Sequence, residues 1–257
     1  MPEKTQQFAQ NVARSLIGEE AAHPAQPLIQ MQGIRKSYYI GQPNELEILH
    51  GIDLTVYPGE FVAIVGESGS GKSTLLKILQ GGLKPNGGTI TYDGNNPLAN
   101  HRFFQKYIGY VPQDNPLFAN LTVMDNLKLW YCDSSRDLKQ DIESGIIKDF
   151  KIDSFIKSKV ANLSGGMKKR LSIACALATD PQILIMDEPG ASLDIIAKND
   201  IVTYMKKYIA GGGTIIISSH EECELSVCTK MYLMKNGVLE SLNGSCSLSS
   251  IMERMVK

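Results

Sequence analysis

The sequence predicts an α/β fold, on three stretches. Phe61–Val65, Ile183–Met186 and Thr214–Ser219 are short, largely apolar runs of the kind that form buried strands of a parallel sheet. The first leads through a glycine turn into Leu75–Leu79, and the second through a polar loop into 195–208, both with helical apolar spacing. A chain of 257 residues that is 43% apolar can bury a full core as one such domain with a small appended subdomain.

Taken in order, residues 1–27 read as a leader. Phe8, Val12 and Leu16 share one helical face and Pro24 and Pro27 end it, so a short amphipathic helix with a linker fits, as does a mobile tail. The main domain runs from 28 to 245, leaving 246–257 as a tail. Ile29–Ile34 and Ile52–Val56 read as strands on either side of the polar loop Gly41–Asn44. Tyr38 and Tyr39 follow the first of them, where an aromatic either stacks on an adenine ring or is an ordinary surface tyrosine.

Gly66-Glu67-Ser68-Gly69-Ser70-Gly71-Lys72-Ser73-Thr74 fits G-x-x-x-x-G-K-[ST] between a strand and a helix. Gly66, Gly69 and Gly71 allow the tight turns that point successive N–H groups inward, and the helix starting near Lys72 adds the positive end of its dipole. Such a cradle suits phosphate, with the Lys72 ammonium on the β- and γ-phosphates and the Ser73 hydroxyl on Mg²⁺.

Gly87–Gly94 and Ile108–Val111 read as further strands, the latter followed by Pro112-Gln113-Asp114. From about 115 to 163 the pattern turns helical and more polar, with Met124–Trp130 and Ile142–Phe150 as helices of an inserted subdomain whose core Trp130 fills. Leu163-Ser164-Gly165-Gly166 opens a helix over Met167–Ala178, and its free N–H groups make a second anion site. Lys168, Lys169 and Arg170 read as a solvated face. Ile183–Met186 ends in Asp187-Glu188, and acids at the carboxyl end of a buried strand point into the crevice where α/β sheets bind ligands. An Asp there holds Mg²⁺ and a Glu beside it orients or deprotonates water. Gly190–Asp194 leads to a helix ending near Tyr208, Thr214–Ser219 delivers His220 to the same edge, and Met231–Leu239 forms a hairpin on Asn236-Gly237.

Net charge is −1 with no long basic run, so charge indicates no nucleic-acid surface. Five cysteines without regular spacing suit free thiols in a reducing, cytoplasmic setting, and His220-x-x-Cys223 lacks the second pair a zinc site needs. No run approaches the roughly 18 apolar residues of a membrane helix, so membrane contact is expected only through a partner.

The ordered set GESGSGKST, Pro112-Gln113, LSGG, ILIMDEP, ASLD and Ser219-His220, spread over Leu28–Leu242, resembles the nucleotide-binding subunit of an ATP-binding cassette (ABC) transporter. The resemblance implies a P-loop NTPase core of the RecA-like kind, an antiparallel β subdomain and an inserted small helical subdomain, with ATP and Mg²⁺ bound. It implies that Tyr38 stacks on adenine and that Gln113 contacts Mg²⁺ and the attacking water while sensing the membrane partner. It makes Asp187 the Mg²⁺-site aspartate, Glu188 the catalytic base and His220 the switch histidine on the γ-phosphate. Ser164, Gly165 and Gly166 resemble the signature that closes on the γ-phosphate of a second subunit, a copy or a paralogue, and Asp194 ends the loop linking the two sites.

Met167 stands where the signature often continues with Gln, which implies altered tuning rather than lost hydrolysis. The short stretch from Gln113 to Ser164 implies a small helical subdomain, and Lys157–Asn162 lacks the Glu-rich segment of fused multidrug exporters, favouring a separate transmembrane permease subunit. The wording LSGGMKKR resembles exporter cassettes. A soluble ATPase of the same family, for example one serving iron–sulfur cluster assembly, is the alternative.

Overall fold

The computed structural model describes residues 26–96, 103–104, 107–134 and 136–242; the expectations for residues 1–25 and for the tail 246–257 lie outside them. Six strands form the main sheet in the order β5-β6-β7-β3-β8-β9: β3 (Phe61–Val65), β5 (Ile108–Val111), β6 (Ile183–Asp187), β7 (Thr214–Ser218), β8 (Lys230–Lys235) and β9 (Val238–Leu242). All neighbours pair parallel except β8 with β9. A second, antiparallel sheet has the order β2-β1-β4, from β1 (Ile29–Tyr38), β2 (Leu46–Val56) and β4 (Gly87–Tyr92).

The apolar runs behave as their composition requires. In β3, Phe61, Ala63 and Val65 face one hydrophobic cluster, and Val62 and Ile64 face another. A strand covered on both faces needs apolar residues at every position, so period-two alternation of polarity is absent there. The second cluster fills the space between the main sheet, α1 (Lys72–Leu79) and the small sheet, where the Tyr92 hydroxyl donates to the Leu79 carbonyl. The first lies under α5 (Gly165–Ala176), α6 (Ile195–Ala210) and the helical stretch after β5.

That stretch contains α2 (Val123–Tyr131), α3 (Leu138–Ser144) and α4 (Ile146–Asp149), then 3₁₀ turns at Ile152–Phe155 and Val160–Asn162. α2 opens on a capping box: Thr122 Oγ1 accepts from Asp125 N at 3.1 Å while the Asp125 carboxylate accepts from Thr122 N at 3.3 Å. The fully buried Asn126 ties the preceding loop to the helix. Its Oδ1 accepts from Phe118 N at 2.9 Å, and its Nδ2 donates to Thr122 O at 2.9 Å and Phe118 O at 3.2 Å.

Several expectations need correcting. β1 runs on to Tyr38 and β2 starts at Leu46, because a hairpin can pair its arms up to the turn whatever their polarity. The helix expected over Ile142–Phe150 breaks at Gly145, whose extended backbone (φ −105°, ψ −152°) ends α3 and starts α4. Trp130 does not fill the helical core: it is 38% exposed, and the buried face of α2 carries Val123, Leu127 and Tyr131 instead. Lys169 is not on a solvated face: it is 3% exposed, because its ammonium turns inward to the carbonyls of Pro112 and Gln113.

Asn126→Ala would leave Phe118 N without its partner and take one of two donors from Phe118 O and from Thr122 O, which costs about 2 kcal/mol of unfolding free energy in urea. Asn126→Leu, which fills the space but pairs nothing, should lose a similar amount.

Candidate active site at the carboxyl edge of the parallel strands

Strand register decides which residues meet. Val111 pairs with Met186, Met186 with Ile217, Asp187 with Ser218 and Ile64 with Ser218. Four adjacent parallel strands therefore end along one line, and the residues just past them, Gln113, Glu188, His220 and the loop from Gly66, emerge side by side.

Gly66 leaves β3 with φ 153°, and a Cβ on it would stand 2.2 Å from the carbonyl oxygen of Met234 in β8; only glycine fits. The loop ends at Gly71, the N-cap of α1, so the first N–H groups of that helix face the loop. Lys72 is buried and its ammonium donates to Gly66 O at 2.7 Å and Glu67 O at 2.8 Å. Burial lowers its proton affinity, which Glu188 and Asp187 act to raise. Ser70 Oγ is buried without a partner in the loop, while Glu67, Ser68 and Gly69 are exposed and Ser73 and Thr74 are half-buried. A cavity of about 410 Å³ flanks the loop, lined among others by Ile48, His50, Ser68, Ser70 and Lys235.

Beside the loop, Ser218 Oγ donates to the buried Asp187 carboxylate and accepts from Glu188 N at 3.0 Å, and Ser218 O accepts from Glu188 N at 3.1 Å. Those bonds hold Glu188 at φ 46°, a left-handed conformation that costs a non-glycine residue on the order of 1 kcal/mol. Gln113 Nε2 donates to Glu188 Oε2 at 3.0 Å, and His220 Nε2 lies 3.9 Å from Glu188 Oε1. Burial and then the Lys72 charge lower the proton affinity of His220 below its ordinary 6.5, so the ring is neutral at pH 7.

The structure thus brings Gln113, Asp187, Glu188 and His220 together with Lys72. It does not bring Tyr38 or the Ser164–Gly166 corner to them. Tyr38 ends β1 opposite Leu46, with the Lys36 ammonium 5.5 Å from its ring centroid, and it is not among the residues lining the cavity. Ser164 is the exposed N-cap of α5 and its Oγ accepts from Met167 N at 3.3 Å, so the helix starts at Gly165, two residues earlier than expected. The corner rests on the start of α6 and the loop leading to it: a Cβ on Gly166 would press 2.9 Å from Ala197 Cβ, and one on Gly165 would touch Leu193. Asp194 caps α6 by accepting from Ala197 N at 2.9 Å.

Residues 49–191, more than half of the chain, match the ABC transporter family. The chain belongs to that family. It is 36% identical over 214 residues to the Nod factor export ATP-binding protein I of Rhizobium sp. (strain N33), a match covering 81% of this chain and 68% of that protein. It is 33% identical over 197 residues, 74% of its length, to an ABC transporter ATP-binding/permease protein of Mycobacterium tuberculosis, of which it spans only 22%. Its fold matches the dimeric structure of a post-hydrolysis state of an ATP-binding cassette bound to ADP and Pi, with a TM-score of 0.76 and 27% identity, covering 84% of this chain and 99% of that one. The α/β core with an antiparallel sheet and helices is therefore that of an ABC ATPase cassette.

Three residues of this cassette's site escaped the sequence reading. Ser218 gave no signal, because a serine ending an apolar strand is common. Lys169 sits three residues after the buried Gly166 and four before Ile173, so helical spacing placed it on the apolar face of α5 even though its charge argued otherwise. Its ammonium donates to Pro112 O at 3.1 Å and Gln113 O at 3.0 Å. Glu224, in the short helix α7 (Glu222–Leu225), is fully buried. Its Oε2 accepts from Ser219 Oγ and its Oε1 has no partner.

Burial pushes the Glu224 carboxyl up to about 7 from 4.5, with the Ser219 hydrogen bond opposing. The folded cassette keeps this proton over a pH range in which the unfolded chain has lost it, so the group subtracts stability as pH rises from about 4.5 to about 7. Glu224→Gln should remove that loss. Urea unfolding at pH 5 and pH 8 should show the variant gaining on the parent by on the order of 2 kcal/mol at the higher pH.

Proposed function

We propose that this chain is the ATP-binding and ATP-hydrolysing subunit of a transporter, acting with a second such subunit and driving a separate transmembrane permease. The observation that carries the reading is a division within one chain. The phosphate loop, Gln113, Glu188 and His220 share one sheet edge, whereas the Ser164–Gly166 corner leans on Leu193 and Ala197. One copy offers two halves of different pockets, and a head-to-tail pair, a homodimer or one formed with a paralogue, completes both.

In that pair, nucleotide phosphates draw the Lys72 ammonium from the Gly66 and Glu67 carbonyls, and the loop N–H groups and the α1 dipole take up the remaining charge. The Ser73 hydroxyl, the Asp187 carboxylate and the Gln113 amide oxygen are hard oxygen donors of the kind Mg²⁺ prefers, and the orphaned Ser70 Oγ marks a loop with bonding capacity to spare. When bound, Mg²⁺ supplies charge neutralisation for the phosphate tail. Glu188, held by Ser218 and Gln113, orients the attacking water and takes its proton, while neutral His220 can hydrogen-bond the terminal phosphate without first shedding charge. The partner's signature amides close the far side.

Tyr38 is proposed as the adenine platform, with the Lys36 ammonium over its ring. The helical stretch of about 115–163 is proposed as the permease contact at the inner face of the cell membrane. No helix among the described residues is long and apolar enough to cross a membrane. Export is the direction read from LSGGMKKR and from the likeness to the Nod factor export protein.

Glu188→Gln should cut ATP turnover by at least about a hundredfold while leaving ATP-dependent pairing visible by size-exclusion chromatography. Turnover at the parental rate would remove Glu188 from the base's role. Ser164→Ala combined with Gly166→Asp should abolish turnover and pairing together, yet leave nucleotide binding to the separated chain within about threefold of the parent.

A further inference from the structure

We infer that Lys169 is a positioning residue for hydrolysis, holding the Gln113 loop to the helix that carries the signature corner and so linking the half-site a chain lends to its partner with the half-site it uses itself. The inference rests on the division of the site proposed above, and adds to it a physical connection between the halves.

The connection consists of two hydrogen bonds from one ammonium, followed by a third from the residue that they hold. Lys169 stands just over one turn into α5, whose N-cap is Ser164. Its ammonium, 3% exposed, reaches across to Pro112 O and Gln113 O at 3.1 and 3.0 Å. Gln113 in turn donates its side-chain amide to Glu188 Oε2 at 3.0 Å. A displacement of the signature helix therefore pulls on the backbone of the residue whose side chain holds the proposed base.

The local chemistry explains why a cation is needed. β5 ends at Val111 at the edge of the sheet, so the chain beyond it has no further strand to pair with. Proline at 112 lacks an N–H, and the carbonyls of Pro112 and Gln113 require a donor from elsewhere. An ammonium brings three donors on a flexible stem and can follow both oxygens if the loop shifts. Buried cations need opposite charge nearby, and Asp187, Asp114 and Glu188 act to hold this one protonated against its burial. A lysine that merely filled space would not require two carbonyls converging on its nitrogen.

The test removes the ammonium and keeps the stem, as in Lys169→Met. Amide hydrogen exchange of the full chain without nucleotide should accelerate at least fivefold over residues 113–116 and stay unchanged in β3 and β7. ATP turnover should fall about tenfold in kcat, with KM for ATP changed less than twofold. In a Gln113→Ala background the same substitution should change kcat less than twofold, since the link then leads nowhere. If exchange over 113–116 does not change, or the tenfold loss persists without the Gln113 side chain, Lys169 acts as packing and the inference is overturned. Lys169→Gln, which keeps N–H donors one atom shorter, is measured in parallel and replaces the methionine variant if that one does not fold; it should lie between parent and methionine in both readouts. If the parent hydrolyses no ATP, the proposed function fails, while the exchange measurement still decides whether Lys169 holds the loop.

Discussion

Parallel pairing of β5, β6, β7 and β3 in register is the constraint from which the site follows. Parallel strands pair with slanted, evenly spaced hydrogen bonds, so neighbouring chains stop at the same level and hand their next residues to a common edge. That geometry puts a turn glycine, an acidic pair, a glutamine and a histidine within reach of one another although they are up to 154 positions apart in sequence, from Gly66 to His220. The apolar runs that build the strands therefore do chemical work at a distance, since a one-residue slip of β6 would turn Asp187 away and put a methionine in its place.

Charge is the second organising quantity. Lys72, Lys169, Asp187 and Glu224 are all buried within or just behind the site. Each is compensated differently: Lys72 by loop carbonyls, Asp187 by Ser218, Lys169 by the carbonyls after β5 and Glu224 by keeping its proton. A site that must accept a highly charged ligand keeps its own charges satisfied beforehand, which holds the side chains in place at the cost of breaking bonds when the ligand arrives.

Much of this was legible in the sequence because it rests on local rules. A glycine loop after an apolar strand, acids at a strand end and Asn-Gly in a hairpin each carry their own stereochemistry, and these elements stand where the pattern puts them. What stayed hidden depends on contacts made far along the chain. Composition says a lysine belongs in water, and nothing near Lys169 in sequence announces that Pro112 and Gln113 will offer it carbonyls from 57 and 56 positions away. Trp130 misled for the reverse reason: a large aromatic normally goes inside, but Tyr131, one position on, sits on the face that α2 buries. The Gly145 break, at a point where a Cβ would collide with Asp141, shows that one close approach can override an apolar pattern that spans it.

The contact of Gly66 with Met234 O has a mechanical side. At that point main chain lies directly on main chain, and the hairpin following Met234 is bonded in turn to the small sheet, where His50 N donates to Gly237 O at 2.9 Å. Side chains can yield by changing rotamer, whereas backbone pressed on backbone cannot. The antiparallel sheet, the β8–β9 hairpin and the phosphate loop must then travel as one stiff block. Relative movement during a working cycle falls to the helices beyond β5, which rest on the sheet through the side chains of one hydrophobic cluster rather than through stacked peptide groups.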